Sequence, residues 1–110
     1  MQNDKKEIIG FILEIIKDIT KPDKIILFGS RATGKCKPES DFDFLVLKNG
    51  ISEPRKLSKL IYSNLVNTGA PVDILVSSTE RFNKLKLYPD SVYNEIANHG
   101  VVLYEKNNNE

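Results

Sequence analysis

Three aspartates stand in segments that otherwise have the apolar character of buried strands. Asp41 and Asp43 lie on either side of Phe42 at the start of one such segment, and Asp73 interrupts a later one. Residues two apart in a strand point to the same face about 7 Å apart, so Asp41 and Asp43 project together. If the later segment is the neighbouring strand, Asp73 joins them. Because three adjacent carboxylates repel one another, this arrangement indicates a site for cations.

Magnesium is the cation that suits such a cluster. Mg²⁺ prefers hard oxygen ligands, takes few of them from the protein and leaves room for water and phosphate oxygens. Two such ions about 3.5–4 Å apart stabilise the in-line displacement of a phosphoryl or nucleotidyl group. The aspartates therefore predict a magnesium site for phosphate chemistry. The competing interpretation, an exposed strand edge or a cap, leaves three acids in two apolar segments unexplained.

A second group of suitable residues lies where the apolar segment 24–28 ends. Gly29 and Ser30 follow this segment directly and precede a short predicted helix. Glycine lets a ligand approach the backbone closely, and the free amides of a helix start can hold phosphate oxygens together with the Ser30 hydroxyl. These residues predict a binding site for a triphosphate beside the metal site.

The order and spacing of these residues form a motif. Gly29-Ser30, ten further residues and Asp41-Phe42-Asp43 give the pattern GSx10DxD. In this pattern the sequence closely resembles the minimal members, called MNT proteins, of the DNA polymerase β-like nucleotidyltransferase superfamily. The resemblance continues through Asp73 and its apolar neighbours to the closing segment 100–104, and it covers almost the whole chain.

The resemblance implies a role for each aspartate. Asp41 and Asp43 would hold the metal ions that bind the triphosphate. Asp73 would complete the second metal site and help to deprotonate the acceptor hydroxyl. The reaction would be attack of that hydroxyl on the α-phosphorus of a nucleoside triphosphate, with pyrophosphate as the leaving group. The expected substrate is ATP, and the expected cofactor is Mg²⁺, as two ions.

The resemblance also assigns residues to the phosphates. Gly29 and Ser30 would bind the β and γ phosphates of the triphosphate. Arg31 follows them and is a further candidate for a phosphate contact, although a place on the surface explains this arginine equally well. Lys35 and Lys37 lie in the same loop and are predicted to face solvent, outside the site.

A chain of 110 residues has room for little more than such a catalytic core. Larger members of the superfamily carry further domains, so a partner is expected to complete this site. The resemblance extends to the arrangement in which an MNT antitoxin transfers AMP from ATP to a tyrosine of a HEPN ribonuclease toxin. Two alternatives stay open: a non-catalytic module that masks its partner, and a transferase for a small hydroxylated acceptor. The oligomeric state, including a homo-oligomer, also stays open.

Predicted strands alternate with predicted helices along the chain. Apolar periodicity and turn residues predict the order α-β-α-β-α-β-α-α-β, an α/β (α+β) domain. The resemblance implies a small mixed β-sheet flanked by helices, the polymerase β-like nucleotidyltransferase fold. Strands are predicted at 24–28, 41–48, 71–76 and 101–104. Helices are predicted at 5–20 and 31–35, from a cap at Ser52 through Leu65, from a cap at Ser78 or Thr79 through Leu85, and from a cap at Asp90 to His99.

Composition and charge narrow the class of protein further. The chain has 16 Lys and Arg against 15 Asp and Glu, a formal net charge of +1, so no broad basic field for nucleic acid is expected. Its single cysteine, Cys36, cannot form an internal disulfide, and no apolar run approaches the roughly 20 residues that span a bilayer. We expect a cytoplasmic protein without membrane or direct nucleic-acid contacts, with one domain at 1–104 and a disordered tail at 105–110.

Overall fold

The computed structural model describes residues 4–37, 40–65 and 71–106. Helices and strands follow one another in the order that the sequence predicts. They are α1 (Asp4–Thr20), β1 (Lys24–Phe28), α2 (Ser30–Thr33), β2 (Phe42–Leu47), α3 (Pro54–Ser63), β3 (Val72–Ser77), α4 (Thr79–Leu85), α5 (Val92–His99) and β4 (Val101–Glu105).

The strands form one mixed sheet in the order β3-β2-β1-β4. The central strand β1 pairs antiparallel with β2 and with β4, whereas β2 and β3 run parallel. The parallel pair is connected through α3, since parallel strands need a crossover between them. This is the small mixed sheet flanked by helices that was expected. It leaves β3 and β4 as the edge strands.

Helices cover both faces of the sheet. On one face, Ile12 and Ile16 of α1 and Ile61 of α3 are fully buried in the core. On the other face, Phe82 of α4 and Ile96 of α5 close a second core. Because the central strands are covered on both sides, their sequences are apolar apart from Lys24 and Asp43, rather than an alternation of apolar and polar residues.

The alternation of side chains along β2 determines where its acidic residue points. Phe42, Phe44 and Val46 enter the core under α1 and α3. Leu45 enters the opposite core, under α4 and α5. Successive strand residues point to opposite faces, so Asp43 projects on the same face as Leu45. The site described below therefore lies on the α4 and α5 side of the sheet.

The start of α3 differs from the sequence prediction. The helix begins at Pro54 with Glu53 as its N-cap, and Ser52 does not cap it. Proline is favoured at the first helical position because its fixed φ suits the helix and its missing N–H would be unpaired there anyway. The helix ends at Ser63, before the predicted Leu65. The sequence Asn67-Thr68-Gly69, which predicts a helix stop, lies outside the described residues.

The caps of α4 and α5 are both serines. Ser78 Oγ accepts a 3.0 Å hydrogen bond from the amide of Arg81, as predicted for α4. Ser91 Oγ accepts a 3.1 Å bond from the amide of Asn94, so the prediction that Asp90 caps α5 is wrong. Serine and aspartate are comparable N-caps, and the turn before α5 decides between two adjacent candidates.

Strand β4 closes the sheet and extends one residue beyond the predicted domain end. Glu105 is the register partner of Lys24, and their side chains form an ion pair of 3.5 Å. Lys106, also in the predicted tail, donates its amide to the Asp23 carbonyl at 2.9 Å, and residues 107–110 lie outside the described residues. Among the helices in the described part of the chain, none has the length and apolar character that a membrane crossing requires.

Candidate active site

The parallel pairing of β2 and β3 brings the three aspartates together. Asp43 and Asp73 are register partners, and Asp41 immediately precedes β2. One carboxylate oxygen from each of the three lies within 4.8 Å of the other two. Asp41 and Asp73 are exposed, and Asp43 is partly buried. The arrangement is the one expected if Asp73 lies on the strand next to β2.

Burial and acidic neighbours raise the pKa of the Asp43 carboxyl. Burial, the negative charge of Asp73, a hydrogen bond with Asp73 and the charge of Asp41 raise the pKa of the Asp43 carboxyl from 3.8 to about 6. The cluster without a cation is therefore incompletely ionised in mildly acidic solution. A bound cation would favour its full ionisation, because opposite charge stabilises a carboxylate.

Gly29 faces Asp43 from the end of the adjacent strand. Phe28 is the register partner of Asp43, and Gly29 follows it with φ +78° and ψ −159°, a conformation essentially restricted to glycine. A Cβ atom at this position would collide with Asp43 Oδ2. Only glycine therefore allows the backbone to pass this close to the carboxylate cluster.

The single-turn helix α2 begins immediately after Gly29. It starts at Ser30, one residue before the predicted start, and it ends at Thr33 because Gly34 takes a left-handed φ of +81°. Two amides of α2 donate hydrogen bonds to the Gly29 carbonyl. Gly29 and Ser30 thus form the turn from β1 into α2, as the sequence predicts. Their binding of phosphates stays a prediction.

Arg31 points into the loop that follows α2. Its guanidinium carbon lies 4.1 Å from the centre of the Phe42 ring, and its Nη2 donates a 2.7 Å hydrogen bond to the Ser40 carbonyl. Its Nη1 lies 3.6 Å from Cys36 Sγ. Ser40 directly precedes Asp41, so Arg31 attaches the loop where it enters the site. No local pattern in the sequence indicated this contact, and the role of Arg31 as a phosphate ligand stays a prediction.

The donor set fits magnesium. It consists of carboxylate oxygens only, which Mg²⁺ prefers, and two of the three carboxylates are accessible to solvent. Gly29 has no Cβ, so its backbone lies directly against Asp43 Oδ2. Within residues 4–37, 40–65 and 71–106, no other group of three or more metal-ligating side chains comes together.

Comparison with known protein families gives the class of the chain. The family described as "Polymerase beta, Nucleotidyltransferase" matches residues 11–109, which include the Gly29-Ser30 turn and all three aspartates. The chain belongs to this nucleotidyltransferase family. Its fold and its enzyme class are those that the sequence predicts. This chain is 35% identical over 100 residues to a putative protein adenylyltransferase, MJ0141, of Methanocaldococcus jannaschii. The match covers 86% of this chain and 97% of the relative.

Solved structures share the fold of the nucleotidyltransferase. A crystal structure of a toxin-antitoxin with AMP-PNP gives a TM-score of 0.55 at 22% identity, over 89% of this chain and 73% of the other. Two mutants of the toxin-antitoxin MntA-HpeT give TM-scores of 0.54 and 0.53 at 19% and 23% identity. Each match covers 91% of this chain. The first covers 75% of the other chain and the second covers 74%.

Proposed function

We propose that this nucleotidyltransferase transfers AMP from ATP to a tyrosine of a HEPN-type ribonuclease toxin and thereby acts as its antitoxin. The observation that carries the proposal is the meeting of Asp41, Asp43 and Asp73 beside the Gly29-Ser30 turn. The relative named a putative protein adenylyltransferase supports AMP transfer to protein. The similarity to toxin-antitoxin structures, one of them with AMP-PNP, supports a toxin partner and ATP.

In this proposal, Asp41 and Asp43 would hold two Mg²⁺ ions, and Asp73 would share in the second site. The bound ions would supply positive charge to the triphosphate and to the attacking oxygen. The chain positions the reactants: Gly29 and Ser30 bind the β and γ phosphates, which orients the α-phosphorus. The oxygen of the acceptor hydroxyl forms a bond to the α-phosphorus, and the bond from the α-phosphorus to pyrophosphate breaks. A carboxylate oxygen of Asp73 accepts the proton that the hydroxyl loses.

The test is incubation of the purified chain with α-labelled ATP and MgCl₂, with and without the protein encoded by the adjacent gene. Mass spectrometry is expected to find one added AMP on a tyrosine of that protein. The variant Asp41→Asn/Asp43→Asn should lose the transfer while remaining folded. The matched control Asp18→Asn/Asp90→Asn removes the same charge from exposed positions and should retain it.

Three results would contradict the proposal. Labelling that persists in Asp41→Asn/Asp43→Asn would place the chemistry elsewhere. No labelling, together with a partner complex that the double variant still forms, would support a non-catalytic masking module. Labelling of a small hydroxylated compound in place of the partner would identify the other alternative.

We also propose that the protein acts in the cytoplasm. ATP as a substrate favours that compartment. The free thiol of Cys36, which has no cysteine partner in the chain, suits its reducing conditions. Fractionation of the source cells, followed by immunodetection of the protein, would test this location.

A further inference from the structure

The outer edge of β3 offers unpaired backbone groups next to the site. Phe42 donates its amide to the Pro71 carbonyl, and Lys48 donates its amide to the Ser77 carbonyl. In a parallel pair such bonds use alternate residues, so the odd-numbered residues of β3 bond to β2 and the even-numbered ones point outwards. The amide of Ile74 indeed points outwards, because it donates a 2.7 Å hydrogen bond to the Tyr62 hydroxyl.

In the part of the chain that the structure describes, no strand pairs with the outer edge of β3 beyond Tyr62. Within the described ranges of the chain, neither the Ile74 carbonyl nor the Val76 amide has a hydrogen-bond partner. These groups border a groove of about 530 Å³ that runs along the edge between α3 and the α4-α5 pair. An unpaired edge with a groove beside it is the geometry that accepts an extended segment as an added strand.

Two arginines give this groove its charge. Arg55 of α3 lines it on one side of the sheet and Arg81 of α4 on the other, and no acidic residue is among the described residues that line it. Of the nearby carboxylates, Glu53 pairs with Lys56 and Glu80 accepts a hydrogen bond from the Gly50 amide, whereas Asp73 lies beyond the end of the groove in the carboxylate cluster. The groove therefore attracts negative charge.

We propose that the β3 edge at 74–76 binds an extended acidic segment of the acceptor protein as an additional strand. Successive side chains of a strand point to opposite faces, so two adjacent acidic residues of that segment would reach one arginine each, Arg55 and Arg81. The edge begins beside Asp73, so the docked segment lies next to the carboxylates. The inference rests on the proposed function in one respect only, that the acceptor is a protein.

The first experiment measures binding alone, without ATP or Mg²⁺. The probe is a fluorescent nine-residue peptide of valine and threonine with two adjacent central glutamates and a terminal tyrosine. Its matched controls carry glutamines for the glutamates, or a central proline that cannot donate a backbone hydrogen bond. We expect the glutamate peptide to bind at least about tenfold more tightly than either control, and to slow hydrogen exchange of the Val76 amide.

Variants of the chain give the second arm. The double variant Arg55→Glu/Arg81→Glu should bind the glutamate peptide at least about tenfold more weakly than the wild type does. The control Lys59→Glu/Lys84→Glu makes the same charge change at exposed positions of α3 and α4 outside the groove and should leave binding within about twofold. Equal binding by both double variants, or a Val76 amide whose exchange no peptide changes, would overturn the proposal. A dimer of the chain alone with a protected Val76 amide would also overturn it, in favour of a second copy as occupant.

Failure of the docking surface is distinguishable from failure of the proposed function. If the glutamate peptide binds at the edge but no protein receives AMP, the proposed function fails and the docking surface stands. If the partner receives AMP at the same rate from Arg55→Glu/Arg81→Glu as from the wild type, and Val76 stays unprotected in the complex, the docking surface fails and the proposed function stands.

Discussion

The Asp43 carboxylate lies among like charges, and its raised pKa has a consequence for stability. Folding raises this pKa from 3.8 to about 6, so between those values the folded protein binds more protons than the unfolded chain. The metal-free protein therefore loses stability as the pH rises through that interval. We expect Asp43→Asn, which cannot ionise, to be about 1 kcal/mol more stable than the wild type at pH 7 in EDTA. The figure is well below the full conversion of the shift because solvent screens this partly exposed group.

Urea unfolding at pH 4 and pH 7 in EDTA measures this difference. At pH 4 the two proteins should be nearly equal, because the folded wild type is then protonated at Asp43. Asp90→Asn, at an exposed position away from the cluster, should show no comparable gain at pH 7. A variant Asp43→Asn that is less stable than the wild type at pH 7 would show that burial and repulsion of the Asp43 charge do not dominate the stability at this site.

Alanine substitutions at Gly29 and Gly50 distinguish the effect of backbone strain from the effect of damage to the site. Gly29→Ala places a Cβ against Asp43 Oδ2 at a conformation unfavourable for alanine, so we expect a loss of about 2 kcal/mol of stability and loss of AMP transfer. Gly50 also has a positive φ, +70°, but open space around it. Gly50→Ala should lose about 1 kcal/mol and keep its activity. Thermal unfolding measures the stability of the two variants, and the AMP-transfer assay measures their activity. Equal activity in the two variants would contradict the close approach at Gly29.

At the scale of elements, Arg31 connects the loop between α2 and β2 to the site. If its planar group matters, for stacking on Phe42 and bonding to the Ser40 carbonyl, lysine cannot replace it. We expect Arg31→Lys and Arg31→Gln to weaken Mg²⁺ binding alike, by roughly tenfold, because Asp41 follows Ser40. Isothermal titration with Mg²⁺ measures this. Unchanged Mg²⁺ binding in both variants, with weaker AMP-PNP binding in Arg31→Gln than in Arg31→Lys, would favour the phosphate contact predicted from the sequence.

The elements themselves could be predicted because each depends on local sequence. Apolar periodicity determines α1 and the continuous apolar run determines β1, and their order needs no long-range information. The starts of α3 and α5 were missed because adjacent residues, Ser52 and Pro54 or Asp90 and Ser91, are both reasonable signals. The contact of Arg31 with Ser40 was missed because it joins residues across a loop, where side-chain packing decides.

At the scale of the whole molecule, the sheet order is what periodicity could not supply. Asp73 could be predicted to join Asp41 and Asp43 only if β3 lies beside β2, and nothing in the three segments themselves specifies their neighbours. The spacing of the GSx10DxD motif supplied that information through resemblance. The open edge of β3 had no such signal, because it follows from which strand ends the sheet.

The site draws on three consecutive strands, and this predicts how ligands affect the whole fold. Gly29 follows β1, Asp43 lies on β2 and Asp73 on β3, so a ligand held by all of them binds the folded sheet and not the unfolded chain. At one hundred times its dissociation constant, Mg²⁺ with AMP-PNP should add about 2.7 kcal/mol to the unfolding free energy. Asp41→Asn/Asp43→Asn should lose this increment, and Asp18→Asn/Asp90→Asn should keep it. Chemical unfolding with and without the ligands measures the increment, and an increment that survives in Asp41→Asn/Asp43→Asn would mean that other residues hold the metal and the nucleotide.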